Sequence, residues 1–272
     1  MSRQFERDFG LEVSLDKISG YATVNKFGEA LDCDSGIATD VWDGADGSTS
    51  TDIWVPPTAA RVHAIVSTSD VDSDTGGSVA QGAGVRTIRL YGLTDWDTAE
   101  SSEIVVMDGT TAVNTASSYV IIHRMKALTW GANGVNTGVI TATAATDGTV
   151  TAAITTEASH KNQTQMLIYG VPSTQKLRVK KFMASLVKST GSTQRGDGEV
   201  LTMRDPGTNA GDNTAWTNKE NFLLVEAALP WTHDYKNIPK KFNGPCIVKI
   251  QVTANSNDCK VIAAMDAFLV DN

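Results

Sequence analysis

Along much of this chain apolar and polar residues alternate in short runs broken by Gly, Asp, Asn and Pro, the pattern of half-buried β-strands joined by turns. Val248, Ile250 and Val252 alternate with Lys249 and Gln251, for example. The pattern predicts strands at RVHAIVS (61–67), VRTIRLYGL (85–93), SEIVVM (102–107), YVIIHRMKAL (119–128), GVITATA (138–144) and TVTAAIT (149–155). Further strands are predicted at TQMLIYGV (164–171), LRVKKFMASLV (177–187), NFLLVEAAL (221–229), CIVKIQVTA (246–254) and KVIAAMDAFLV (260–270). NFLLVEAAL has no strong period and leaves strand or short helix open.

Turn chemistry adds hairpins. Asp-Gly supplies the positive φ angles of tight turns, so Asp108-Gly109 predicts a hairpin between IVVM and TTAV. Asp147-Gly148 predicts one across 139–155. That second hairpin is nearly all Ala, Thr, Val and Ile, and such a segment needs cover if it lies at a sheet edge. The segments 41–54 and 188–220 read as loops, the latter a long polar excursion. At the start Phe5, Phe9 and Val13 recur every four residues, predicting a short amphipathic helix or packed arm. No internal repeat is present. About a dozen strands are too many for one open sheet, so the expected fold is all-β: a sandwich or jelly roll over 31–272 behind an N-terminal arm at 1–30.

Composition narrows the function. The chain has 272 residues, 41% hydrophobic and 20% charged, which suffices for a buried core. A net charge of −8 argues against nucleic-acid binding driven by phosphate neutralisation. The one basic cluster, KLRVKKF (176–182), alternates with Leu177 and Val179 and reads as the wet side of a strand. No apolar run reaches the ~20 residues of a membrane span, and no targeting segment is visible, so synthesis in a cytosol is expected. Cys33, Cys246 and Cys259 are odd in number and widely spaced, which suggests reduced structural thiols.

The candidate chemistry is thin. SDVDSDTGG (69–77) places Asp70, Asp72 and Asp74 on alternate positions, like the start of a calcium loop. Such a loop needs Gly at its sixth position and Glu at its twelfth, and here these are Thr75 and Gln81. The segment reads instead as an acidic, mobile connection. His63, His123, His160 and His233 form no zinc spacing. No nucleophile elbow or phosphate loop occurs. Asp95, Asp97, Glu100 and Glu103 cluster near a turn, as a glycosidase pair would, but read as solvated side chains. No enzyme activity, metal or cofactor is expected. The six tryptophans, Trp42, Trp54, Trp96, Trp130, Trp216 and Trp231, lie in or beside connections. There they either plug the ends of the sandwich, anchor subunit contacts, or stack on sugar rings.

The order of features over residues 18–175 resembles a family of virion structural proteins of tailed bacteriophages. The markers are Asn25-Lys26-Phe27-Gly28, the Asp40 to Gly44 turn with Trp42, and the Tyr169 to Pro172 exit. The C-terminal third is similar only in style. The resemblance implies a particle component, and a composition with no fibre repeat favours a capsid cement or decoration protein on the capsid surface. Its partners would be the major capsid protein and copies of itself, most naturally a homotrimer. Phe5, Phe9, Trp42, Trp54, Trp96, Trp216 and Trp231 are the interface candidates. A receptor- or glycan-binding module of a head fibre, neck or tail is the alternative.

Overall fold

The protein is described by a computed structural model covering residues 9–156, 162–188, 194–212, 214–226, 229–236 and 238–272. In chain order it begins with helix α1 (Phe9–Ser14), β1 (Tyr21–Cys33) and β2 (Ala38–Asp40). There follow β3 (His63–Ser67), β4 (Val85–Leu93), β5 (Ser101–Val106), β6 (Val113–Asn114), β7 (Ile121–Trp130), β8 (Ile140–Ala144) and β9 (Val150–Ile154). The chain closes with β10 (Ile168–Val171), β11 (Gln175–Lys188), β12 (Arg195–Arg204), β13 (Trp216–Val225), β14 (Trp231–Asp234), β15 (Lys240–Asn243), β16 (Cys246–Ala254) and β17 (Cys259–Asp271).

The fold is all-β and its strand ladders are antiparallel, as the alternation predicts. The strands are shared among four sheets, where a jelly roll has two. One runs β1-β17-β11-β14 with β15 also on β11; another runs β10-β16-β12-β13 with β2 on β16. The middle of the chain builds the other two, β6-β3-β8-β9 and β5-β4-β7. The chain thus leaves the first pair of sheets after β2, builds the second pair, and re-enters at β10. A single buried cluster joins all four, from Val24 and Trp42 through Ile65, Ile88 and Met125 to Ile250 and Val261. The Ala/Thr hairpin is present as β8 and β9, with Gly148 at φ 70° in its turn.

Four expectations fail for identifiable reasons. The arm at 1–30 is drawn too long: its residues from Tyr21 onward belong to β1, which pairs with β17 from Tyr21 to Cys33. Its alternation is hidden because Lys26 and Glu29 occupy buried positions, Glu29 bonded to Lys260 at 2.9 Å. The excursion at 188–220 contains β12 and the start of β13. Its Gly196-Asp-Gly198 reads as a turn, yet Gly198 faces Phe222 across the ladder and its missing side chain is where that ring lies. A Cβ on Gly198 would sit 2.1 Å from the ring. Asp108-Gly109 does not close a hairpin, since β5 joins β4 while β6 joins β3. The Asp108 carboxylate instead accepts from Ser78 N, Ser78 Oγ and Val79 N.

The fourth concerns the acidic stretch at 69–77, which is a staple and not a mobile connection. Asp72 has no solvent exposure and accepts from Ser67 Oγ, Val85 N, Thr137 N and Gly138 N. Asp70 accepts from Thr110, and Asp74 from Thr75 N and Gln81. The three carboxylates serve three different partners and do not converge on an ion.

Candidate functional site

The expected interface residues separate into three groups. Phe5, like His160, lies outside the described residues. Trp42 and Trp54 are corrections, because they are buried in their own chain, 2% and 0% exposed. Each indole N–H is used internally: Trp42 Nε1 donates to Thr51 O and Trp54 Nε1 to Thr151 O. Thr151 is the residue that the β8–β9 register skips, so Trp54 covers the hairpin edge that composition marks as hazardous. Trp96 is half-buried, and its carbonyl accepts from Ser173 N.

Of the remaining residues, Phe9 lies on the outer face of the β1-β17-β11-β14 sheet, whereas Trp231 stands opposite buried Ala184 on the inward side of β14. Phe9, at the start of α1, meets Tyr21 edge-on at 5.2 Å between centroids and Phe268 at 5.6 Å. The helix therefore lies on its own chain. On the inward side of β14 the stacked pair of Trp231 and the buried Phe222 (3.9 Å) leads through His233, opposite buried Phe182, to Tyr235, itself stacked on His233 at 4.1 Å. The row is tied to β13 by Glu220, which accepts from Tyr235 Oη and bonds His233 Nδ1 and Lys240 Nζ. Burial and then Glu220 push the Tyr235 hydroxyl above its ordinary range, so it stays a neutral donor.

Between the two aromatic groups lies a concave space of about 450 Å³ walled by Phe9, Tyr21, Tyr235 and Phe268, with Arg178, Lys180 and Lys236 at its rim. Lys180 Nζ lies 5.4 Å over the Phe268 ring. Leu11 and Leu15 of the N-terminal segment expose more than half their surface nearby, and Phe9 is 44% exposed. Tyr21, Tyr235 and Phe268 were not legible as site residues. Phe268 carries a usable signal: it is a large aromatic between the buried Ala267 and Leu269, hence on the outward side of its strand. Trp216 stands apart, with Lys249 Nζ 4.0 Å over its ring.

A second concavity, about 380 Å³, sits on the seam between the two pairs of sheets and is lined by Lys26, Tyr91, Glu100, His123, Arg124 and Tyr169. Buried Lys26 donates to His123 O, and His123 Nε2 pairs with Glu100 Oε2 at 2.6 Å. The His123 ring lies against Tyr169 at 4.6 Å. Burial, then the Arg124 charge, brings the Lys26 amine down to about 7. Burial also lowers His123, against the pull of Glu100. Burial lifts Glu100, but the hydrogen bond and charge of His123 outweigh it and leave the carboxyl low. Lys26 Nζ is spent on the His123 carbonyl and His123 Nε2 on Glu100, which makes this a polar seam that joins the two halves. No nucleophile and base face a common point in it. The other acidic residues near it are dispersed: Asp97 holds Ser173 Oγ, and Glu103 holds Ala116 N, Ser117 N and Tyr119 Oη. Among the described residues no three His, Cys, Asp or Glu side chains stand together as metal ligands. No described helix is long and apolar enough to cross a membrane.

No protein-family model matches the chain, and no curated protein does. One solved structure, described as "CBM4 structure and function", is similar over 51% of this chain and 74% of its own, at 17% identity and a TM-score of 0.21. A likeness at that score carries no argument about fold or ligand.

Proposed function

We propose that the chain is a structural component of a bacteriophage virion, a cement or decoration protein that holds head-shell subunits together through its surfaces. The observation that carries the reading is the aromatic and basic concavity of Phe9, Tyr21, Tyr235, Phe268, Arg178 and Lys180. Aromatic side chains with Arg at a dry centre and charge at the rim are the composition of protein-binding hot spots. On a chain of net charge −8, a local basic rim favours an acidic partner surface. The resemblance over residues 18–175 supports the same reading, with the major capsid protein and further copies of this chain as partners. A trimer suits three-fold positions on a shell.

Quantitative mass spectrometry of purified particles tests it. Hundreds of copies per particle fit a cement protein, about a dozen fit a neck or tail protein, and none would overturn a virion role. Light scattering of the purified chain checks the trimer.

The same rings favour a second reading, a glycan-binding module, because exposed aromatic faces also stack on sugars. Quenching of tryptophan fluorescence by host polysaccharide, or signal on a glycan array, supports that reading. Silence on both, with high copy number, supports cement.

A further inference from the structure

The loop that joins β2 to the central sheets buries a carboxylate that no side chain holds. Asp52 is 1% exposed, and neither Oδ1 nor Oδ2 receives a hydrogen bond of normal geometry, although the Gly47 N–H faces it. Asp32, at the end of β1, points to the same place. Its Oδ1 is likewise buried without a partner, and its Oδ2 lies 2.3 Å from where a Gly47 Cβ would stand. Gly47, at φ 77°, therefore lies beside both carboxylates, its N–H toward Asp52 and its bare Cα toward Asp32.

More negative charge surrounds them. Asp46 and Asp34 act on both groups, and Asp258 acts on Asp32. No Lys, Arg or His figures among the charges acting on Asp32 or Asp52. Burial first, and these neighbours second, hold both carboxyls above the ordinary range. An uncompensated carboxylate in a dry site is expensive, and proteins keep one only with a proton or a cation. The loop is otherwise well ordered: Asp46 accepts from Ser48 N and Thr51 Oγ1, and Asp52 N donates to Ser48 O. Asp46 is exposed and marks the open side of the site.

We infer that Asp52 and Asp32 hold a calcium ion beside Gly47, with Asp46 and Asp34 supplying negative field at its mouth. The donor set is oxygen only, which selects a hard cation. Calcium tolerates an irregular shell of carboxylate, carbonyl and water oxygens, whereas magnesium demands a regular octahedron and keeps its waters. Because only two carboxylates face the ion, further ligands come from loop oxygens and water, and the affinity belongs to the weak end of calcium sites. The ion would tie the end of β1 to the loop that carries Trp54, and so fasten the two pairs of sheets to each other.

The test uses the full chain stripped of metal with a chelator. Adding about 5 mM calcium raises the thermal midpoint by about 4–8 °C if the site fills. Terbium, used as a second probe, shows luminescence sensitised by the nearby Trp54 and competed away by calcium. Asp52→Asn and Asp32→Asn each abolish both responses. Asp74→Asn, in the other acidic loop, leaves them intact. Asp52→Asn removes a buried charge, so the variant folds and its silence is informative. No calcium shift in the unaltered chain, a full shift retained in Asp52→Asn, or a shift lost in Asp74→Asn overturns the assignment.

Discussion

Lys249 Nζ stands 2.5 Å from Asp40 Oδ2, and neither side chain reaches solvent. The pair is fully furnished: Asp40 also accepts from Trp54 N and Gln251 Nε2, and the Lys249 ammonium lies over the Trp216 ring. It fastens β2, only three residues long, to β16 at the point where the chain leaves for the central sheets. Removing one partner strands the other charge in the core. Lys249→Met is expected to lose about 3–5 kcal/mol of stability, and Asp40→Asn in the same chain to recover part of that. Urea unfolding measures both. A single-variant loss below about 1 kcal/mol would mean the pair is not closed as described.

Asp72 is the second buried carboxylate whose partners can be counted. Asp72→Ala leaves the N–H groups of Val85, Thr137 and Gly138 without their acceptor. The expected loss is about 3 kcal/mol or more. Chelators should not affect this loop, because its carboxylates are consumed by protein donors. Hydrogen exchange at those three amides reads the effect directly.

The seam between the sheet pairs predicts opposed pH dependences. The Lys26 amine falls to about 7 from an ordinary 10.5, so between those values the unfolded chain holds more protons and stability rises with pH. Asp43, buried beside it and bonded to Gln165 N, is lifted to about 8 from 3.8. Between those values the folded chain holds more protons, so stability falls as pH rises. Lys26→Met removes the upper trend and Asp43→Asn the lower one. Urea midpoints across both windows check this, and unchanged slopes in the variants refute it.

Gly28 predicts a steric result. A Cβ there would stand 2.5 Å from Leu167 N and 2.7 Å from Val41 O, both backbone atoms that cannot swing aside. Gly28→Ala should cost about 2 kcal/mol, although alanine is otherwise welcome in strands of this composition. A thermal midpoint within a degree or so of the parent would show that the backbones yield.

Much of the architecture was legible before any coordinates. VRTIRLYGL and CIVKIQVTA coincide with β4 and β16 residue for residue, because short runs rich in β-branched and apolar residues bounded by turn residues mark a strand whatever sheet they join. The short strands β2, β14 and β15 carry no pattern of their own, and the long strands β1 and β12 fail the alternation for local reasons: Lys26 and Glu29 find partners inside, and Gly198 makes room for a ring. The aromatic surface was half legible, with Phe9 and Trp231 visible and Tyr21, Tyr235 and Phe268 not.

The chain by itself determined that this protein is β-structured, where most of its strands lie, and that the 139–155 hairpin must be covered, since periodicity and turn residues are local properties. Only the tertiary structure decided which strands share a sheet, that Trp42 and Trp54 face inward, and which aspartates find donors and which find none. Those outcomes depend on residues far apart in sequence meeting in a dry interior, Asp40 with Lys249 and Asp72 with Thr137 and Gly138. There the cost of an unpaired charge, which no local pattern records, selects the partner.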